Sequence, residues 1–460
     1  MTFSIKEKIH SFFNKGHERT VLAKKNVTLS FLIKGISVLI SLFLTPLTID
    51  YVGVERNGIW LTLYSMAFWL NLFDIGLGNG MKNKLAEAKA NGDNNLARKY
   101  VSSTYAIIGF VCIFIFLLFL IINPYLDWMK ILGSVPAQYA KEVDGLVFIF
   151  VLAFCFTFVL NLIKVIATSD QRPALGAVMD VVGQVLILIG VLILSKTTPP
   201  SLISLGFVTA FAPVLVYLIA SIILFSKRYK KWKPSLKLVN LSLAKNMMNL
   251  GVKFFIATCA AFLVTYTLPF LILRLNTPID VTNYNAAFKL FSVGYTLMGF
   301  IVFPYWASFT DAYTKKDFDW MKKSIKTLYK FYFIFIISQI IFLLFSSYIY
   351  DIWINRWLSP ENTLTIPFSL SVTVCIYVSV LCWLNINIYP LNGIGKVNLQ
   401  VYSSIVEIIL LLPISLFLGH LLGTIGIVLT PVIVYLPRIV WAPIQLNKLM
   451  NNKATGIWNK

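Results

Sequence analysis

Eight charged side chains stand inside long apolar runs of this sequence: Lys34, Asp74, Lys164, Asp180, Lys253, Lys289, Glu407 and Arg438. A charge is costly in hydrocarbon, so such residues turn towards a protein interior or a watery cavity, where two kinds of chemistry are open to them. A cation can hold an anion that sheds its hydration shell, and a carboxylate can bind and release a proton or a sodium ion. Other chemistries find no residues. His10, His17 and His420 form no ligand-spaced cluster, and Cys112, Cys155, Cys259, Cys375 and Cys382 all fall in apolar runs, so no metal site, disulfide framework or cofactor is expected. Gly393-Ile394-Gly395-Lys396 lacks the spacing and the following hydroxyl of a phosphate-binding loop, which argues against ATP hydrolysis.

Helical spacing extends several of these charges into polar stripes. Ser30, Lys34, Ser37 and Ser41 form one; Tyr64, Asn71 and Asp74 another; Asp180 and Gln184 a third. In the second half, Lys289 aligns with Ser292 and Tyr295, and Glu407 with Gln400, Ser403 and Ser404. At about 1.5 Å per residue, Glu407 lies roughly 15 Å from the inner end of its run, Arg438 roughly 12 Å, and Lys34 and Asp180 roughly 10 Å. Lys34, Arg438, Lys253 and Lys289 are therefore the candidate cations of a substrate cavity, and Glu407, Asp180 and Asp74 the candidate ion-coupling carboxylates. Lys164, Lys253, Asp74 and Lys289 lie nearer a run's end, where an interfacial anchor is the competing reading. For Lys34, Asp180, Glu407 and Arg438 the competing reading is an internal ion pair that holds helices together, and for Glu407 in particular a fixed pair with Arg438.

The elements that position these residues are membrane spans. Of 460 residues, 58% are apolar and 13% charged, with a mean hydropathy of +0.78, against about 45–50% and about 25% in soluble domains. Runs of roughly 20 apolar residues, the length that crosses a bilayer, number about twelve, from Val27–Thr48 to Thr424–Leu446. The fold class is an all-α integral membrane protein, and an even number of spans puts both termini on one side. The net charge of +21 resides in loops between the spans, which favours anionic membrane lipids over nucleic acid as the partner. Roughly 29 Lys and Arg fall on the side of the termini and roughly 6 on the other, so the termini should be cytoplasmic. Residues 1–26 carry Phe3, Ile5, Ile9, Phe12 and Phe13 in the stripe of an interfacial segment and show no cleavable signal core.

The chain also matches itself at an offset of about 224 residues. Leu85-Ala86-Glu87-Ala88 through Asp93, Leu96, Arg98, Lys99 and Tyr105 fall on Phe309-Thr310-Asp311-Ala312 through Asp317, Trp320, Lys322, Lys323 and Tyr329, while Asn161 falls on Asn385 and Arg172 on Lys396. Each half holds six spans, so two lobes, 27–225 and 250–446, should be related by a pseudo-two-fold axis along the membrane normal. A basic linker, 226–249, joins them, and a tail, 447–460, follows. The third and ninth spans, which correspond under the repeat and carry no charge, should face lipid.

Phe73-Asp74-Ile75-Gly76-Leu77-Gly78-Asn79-Gly80-Met81-Lys82-Asn83-Lys84-Leu85-Ala86, Tyr284-Asn285-Ala286-Ala287-Phe288-Lys289-Leu290 and Leu391-Asn392-Gly393-Ile394-Gly395-Lys396 resemble segments of Wzx-type O-antigen flippases, in the polysaccharide transporter branch of the MATE-like flippase superfamily. The resemblance implies a MATE-like fold. It also implies translocation of an undecaprenyl-diphosphate-linked oligosaccharide from the inner to the outer leaflet of the bacterial cytoplasmic membrane; the two lobes suggest alternating access, the buried carboxylates coupling to protons or sodium ions, and other polysaccharide-assembly proteins are expected partners. It assigns no role to Lys34, Asp180, Glu407 or Arg438. Competing classes are a MATE-like exporter of drugs or of another lipid-linked precursor, a membrane enzyme of polysaccharide assembly, and a scaffold. Two acids and two bases at mid-depth favour an anionic cargo over a cationic drug, and the short outer loops, with little beyond Arg56, Arg274, Arg356 and Glu361, leave small room for an enzyme.

Overall fold

The computed structural model describes residues 18–70, 77–240, 242–243 and 252–459, with side chains outside 18–31, 79 and 252–258. The first half carries α1 (Glu18–Val52), α2 (Val54–Ala67), α3 (Leu77–Ala90), α4 (Asn94–Ile122), α5 (Trp128–Leu132), α6 (Ala140–Leu160), α7 (Leu162–Ser169), α8 (Pro173–Thr197) and α9 (Leu202–Ser226). The second carries α10 (Val252–Leu275), α11 (Pro278–Val302), α12 (Tyr305–Thr314), α13 (Phe318–Leu344), α14 (Ser346–Trp353), α15 (Phe368–Ile394), α16 (Asn398–Leu422) and α17 (Thr424–Met450). Among the described residues ten helical stretches, five in each half, are long and apolar enough to cross a bilayer, and α2 and the shorter apolar stretch Cys259–Leu275 of α10 stand where the other two of twelve spans are expected.

Span edges depart from the hydropathy reading where local chemistry intervenes. The second span, expected from Gly58 to Gly78, is an α-helix only to Ala67 and tightens into a 3-10 turn over 68–70. Its continuation, with Asp74, lies outside the described residues. So do the N-terminal stripe from Phe3 to Phe13 and the linker residues 244–250. The fourth span breaks at Asn161, where the carbonyl accepts from Lys164 only three residues on and α6 gives way to α7.

The internal repeat is written into the backbone. Asp93 and Asp317, at the 224-residue offset, both cap a long helix, accepting from the amides of Leu96 and Trp320 respectively. Such a cap contributes about 1 kcal/mol. Just before them Gly92 and Lys316, again equivalent, adopt the left-handed conformation at φ 73° and 59°. Gln171 and Gly395 match in the same way, at φ 61° and 81°. One position of each pair is glycine; at the other, Lys316 or Gln171 holds the strained conformation because the turn leaves the chain no alternative.

Within the N-lobe α8 packs on α1 and α9, and α9 on α6; within the C-lobe α17 packs on α15 and α16, and α11 on α15. On the outside, α4 exposes Phe110, Ile113 and Ile121, and its repeat counterpart α13 exposes Phe333, Ile334 and Leu344. Both helices thus present exposed apolar faces, as the expected lipid-facing third and ninth spans require. The lobes meet through α1 and α2 on one side and α10, α11 and the turn at 355–357 on the other. At the seam Thr282 donates to the Val54 carbonyl (2.8 Å), Asn57 donates to the Thr282 hydroxyl (3.3 Å), and Thr62 donates to the Pro269 carbonyl (3.4 Å). Gly58 is required here, since a Cβ at that position would sit 1.8 Å from the Pro278 carbonyl oxygen. The seam lies on the far side of the bundle, opposite the start of α1 and the end of α17.

The described part of the linker is fastened to the N-lobe. Ser102 and Ser103 on α4 accept from the amides of Ser235 and Asn240, Trp232 donates to Asn94, and Arg98 donates to the Lys233 carbonyl. The tail folds back on the C-lobe, with Lys448 over the Trp458 ring at 4.2 Å and Lys396 donating to the Asn459 carbonyl.

Candidate functional site

The candidate charges fall into three groups. The first lies between the lobes. Lys34 is exposed on α1, with its ammonium 5.6 Å from the centroid of the Phe300 ring on α11. Two turns further along α1, Lys289 reaches across from α11 and donates to the Ser41 carbonyl (3.0 Å) and the Thr45 hydroxyl (2.7 Å). Among the described residues no carboxylate pairs with either cation. Lys253 stands at the start of α10, but its side chain lies outside those described.

The second group is internal to the N-lobe. Lys164, from α7, donates to both oxygens of Asp180 on α8 (2.7 and 2.9 Å), and Tyr217 on α9 donates to one of them (2.7 Å). Gly176, one turn before Asp180, leaves room for the lysine stem to lie against α8. Asp180 keeps 43% of its side chain exposed. Next along this face Gln184 accepts from Ser37 of α1, so the Lys34 stripe and the Asp180 stripe meet as packing partners within one lobe.

The third group is buried in the C-lobe. Arg438 on α17 donates to Glu407 on α16 at 2.7 Å and to Ser404 at 2.8 Å, and the two charged residues are 6% and 2% exposed. Ser403 accepts from Trp441, which ties the same two helices together a turn away. Arg438 and Glu407, candidates for cargo binding and ion coupling, are thus each other's partners in this structure, the arrangement of the fixed ion pair weighed as the competing reading. Among the described candidates, two of the three groups are ion pairs internal to a lobe, and the lysines alone stand between α1 and α11. A mutual salt bridge satisfies a buried pair locally, so depth in the bilayer does not by itself point a charge towards a cavity.

Several charges on the far-side loops are engaged in packing. Arg56 pairs with Glu142 (3.4 Å), Tyr139 donates to Glu55, and Arg274 donates to the Lys130 carbonyl beside Gly133. Sequence reading missed a fourth charge cluster, on the other side of the N-lobe. Asp170, 5% exposed, accepts from Lys89 (2.6 Å) and Arg228 (2.7 Å), with Arg172 at 3.8 Å and the Tyr229 hydroxyl at 3.3 Å. It binds the ends of α3, α7 and α9 together. Burial alone would raise the Asp170 pKa; the hydrogen bonds from Lys89 and Arg228 outweigh this and hold it below its ordinary 3.8.

Comparison with known proteins agrees with this architecture. Residues 23–310 match the family described as polysaccharide biosynthesis protein. A protein of Yersinia pseudotuberculosis named "Putative O-antigen export protein" is 24% identical over 370 residues, covering 79% of this chain and 81% of that protein. Among solved structures, an inward-facing multidrug resistance MATE family transporter of the MOP superfamily superposes with a TM-score of 0.75 at 14% identity, covering 90% of this chain and 96% of that one. The outward-facing conformation of such a transporter gives 0.64 at 12% identity, covering 94% and 96%. The lipid II flippase MurJ in an inward closed conformation gives 0.72 at 15% identity, covering 93% and 90%.

Proposed function

Since the chain belongs to the polysaccharide biosynthesis protein family, we propose that it is a Wzx-type flippase that moves a lipid-linked polysaccharide precursor, an undecaprenyl-diphosphate-linked oligosaccharide, across the bacterial cytoplasmic membrane. The observation that carries this reading is the presence of Lys34 and Lys289 on the facing surfaces of two lobes, at bilayer depth, with no carboxylate set against them among the described residues. A diphosphate and its sugars cannot enter hydrocarbon unaided. Two ammonium groups in a low-dielectric cleft replace the hydration of the phosphates, while the prenyl chain stays in lipid. Lys253 is the third cation assigned to this cleft.

The seam on the far side keeps the cleft closed there, so cargo enters from the side of the termini, taken as the cytoplasm from the excess of basic loops. Rocking of the lobes then exposes it to the far leaflet. Coupling to a proton or sodium ion is assigned to Asp180, the half-exposed carboxylate, and to Asp74; Glu407 is read as the fixed partner of Arg438. Anionic lipids contact the basic near side, and other polysaccharide-assembly proteins supply and receive the cargo.

The test is complementation. A strain lacking its own flippase and supplied with a matching glycan should regain surface polysaccharide when this protein is expressed, and should lose it again with Lys34→Gln at equal membrane abundance. Failure to restore polysaccharide with any of a panel of diphosphate-linked glycans would count against the reading.

A further inference from the structure

Pro46 interrupts α1 on the seam. A proline has no amide hydrogen, so the carbonyl four residues earlier, that of Leu42, loses its partner within the helix. Inside a membrane a freed carbonyl is tolerated where a neighbour supplies the missing donor. The donor here comes from the other lobe: the Trp353 indole, at the end of α14, donates to the Leu42 carbonyl at 2.9 Å. The adjacent carbonyl, that of Ser41, takes the Lys289 ammonium at 3.0 Å, with the Thr45 hydroxyl at 2.7 Å from the same nitrogen. Two C-lobe donors therefore converge on a single turn of the first N-lobe helix, the turn that Pro46 leaves short of hydrogen bonds. Around them Ile49 of α1, Ala286 of α11 and Ile354 form a small buried cluster that seals the same joint.

We infer that Trp353 and Lys289 are positioning residues that latch the far side of the transporter shut by capping the carbonyls at the Pro46 turn. When the lobes part on the far side, both donors leave α1, and the Leu42 carbonyl is then open to the water that enters. The latch thus biases the resting protein towards the state closed on the far side. It also ties Lys289 to α1 until the lobes move. The inference rests on the alternating-access reading above, but not on the identity of the cargo.

Accessibility of the joint tests it on the whole purified protein in nanodiscs. Ala286→Cys places a thiol in the buried cluster, and its rate of alkylation by a soluble maleimide reports opening of the far side. Cys382, buried inside the C-lobe, is the internal control. Trp353→Phe keeps the aromatic bulk and removes the donor; Lys289→Met keeps the stem and removes the ammonium. Each should raise labelling at position 286 about fivefold, the equivalent of one net hydrogen bond, with Cys382 unlabelled. Pro46→Ala returns an amide to the Leu42 carbonyl, so Trp353→Phe should change labelling by less than about twofold in that background. Unchanged labelling at position 286 in both single variants overturns the latch, as does labelling that rises equally at Cys382, which would mean general loosening. A labelling shift in a protein that flips no diphosphate-linked glycan would uphold the latch and defeat the cargo assignment instead.

Discussion

Arg438 and Glu407, on neighbouring helices of the C-lobe, share a 2.7 Å ion pair sealed from both lipid and the inter-lobe space. Removing one member leaves the other as a lone buried charge, which costs about 3–5 kcal/mol, whereas replacing both with apolar groups of similar volume is often neutral. Glu407→Gln should therefore lower the yield of folded protein and its melting temperature in detergent, and Glu407→Leu combined with Arg438→Met should recover most of the loss. A stable Glu407→Gln protein whose transport no longer responds to the ion gradient would return Glu407 to a coupling role.

At the cleft, Lys34→Gln should insert and fold normally, because the side chain is exposed and anchors no helix, yet transport should fall about tenfold, the scale of one charge-assisted contact to phosphate. Transport at the parental rate with equal membrane abundance would exclude Lys34 from cargo binding.

Gly58 lies too close to the Pro278 backbone to admit a Cβ. Gly58→Ala should wedge α2 from α11 and increase far-side thiol labelling at position 286, whereas Gly145→Ala, where the nearest atom is the end of the flexible Ile203 side chain, should leave labelling at the parental level. Equal labelling in both variants would show that the seam tolerates separation.

The Asp170 cluster gives a pH dependence with a defined sign. Folding lowers the pKa of this carboxyl below 3.8, so its contribution to stability is fully present above the unfolded value and is lost as the pH falls through the lower folded value. Asp170→Asn should melt lower than the parent at neutral pH, and the gap should close in the acid range below 3.8. A gap of the same size at neutral pH and at about pH 3 would assign the effect to packing rather than charge.

Much of the fold was legible because it is encoded locally. Apolar runs set the spans, and the repeat shows in Asp93 and Asp317, which cap their helices with side chains of the same type in equivalent turns. The sites were harder to read for a physical reason. Spacing along one helix says that Gln400, Ser404 and Glu407 share a face, but not which neighbouring helix that face meets. The pairing with Arg438 stood only as one of two alternatives, and Lys164 with Asp180 was not expected as a pair. Lys289 was picked out by its stripe with Ser292 and Tyr295, but its acceptors include a backbone carbonyl, which no residue type marks; only Pro46, four residues after Leu42, hints that this turn needs outside donors. The Asp170 cluster was missed because its cations, Lys89, Arg172 and Arg228, come from three separate loops or helix ends.

The central claim is that the cleft carries a lipid-linked diphosphate sugar between leaflets, and flipping in liposomes measures it directly. With purified protein and a fluorescent short-chain prenyl-diphosphate oligosaccharide placed in the inner leaflet, a membrane-impermeant quencher outside should extinguish a fraction that grows with time. The growth should need the protein and should slow about tenfold with Lys34→Gln. Fluorescence that stays protected at the level of protein-free liposomes, or that is lost equally for a prenyl lipid without its diphosphate sugar, would contradict the account.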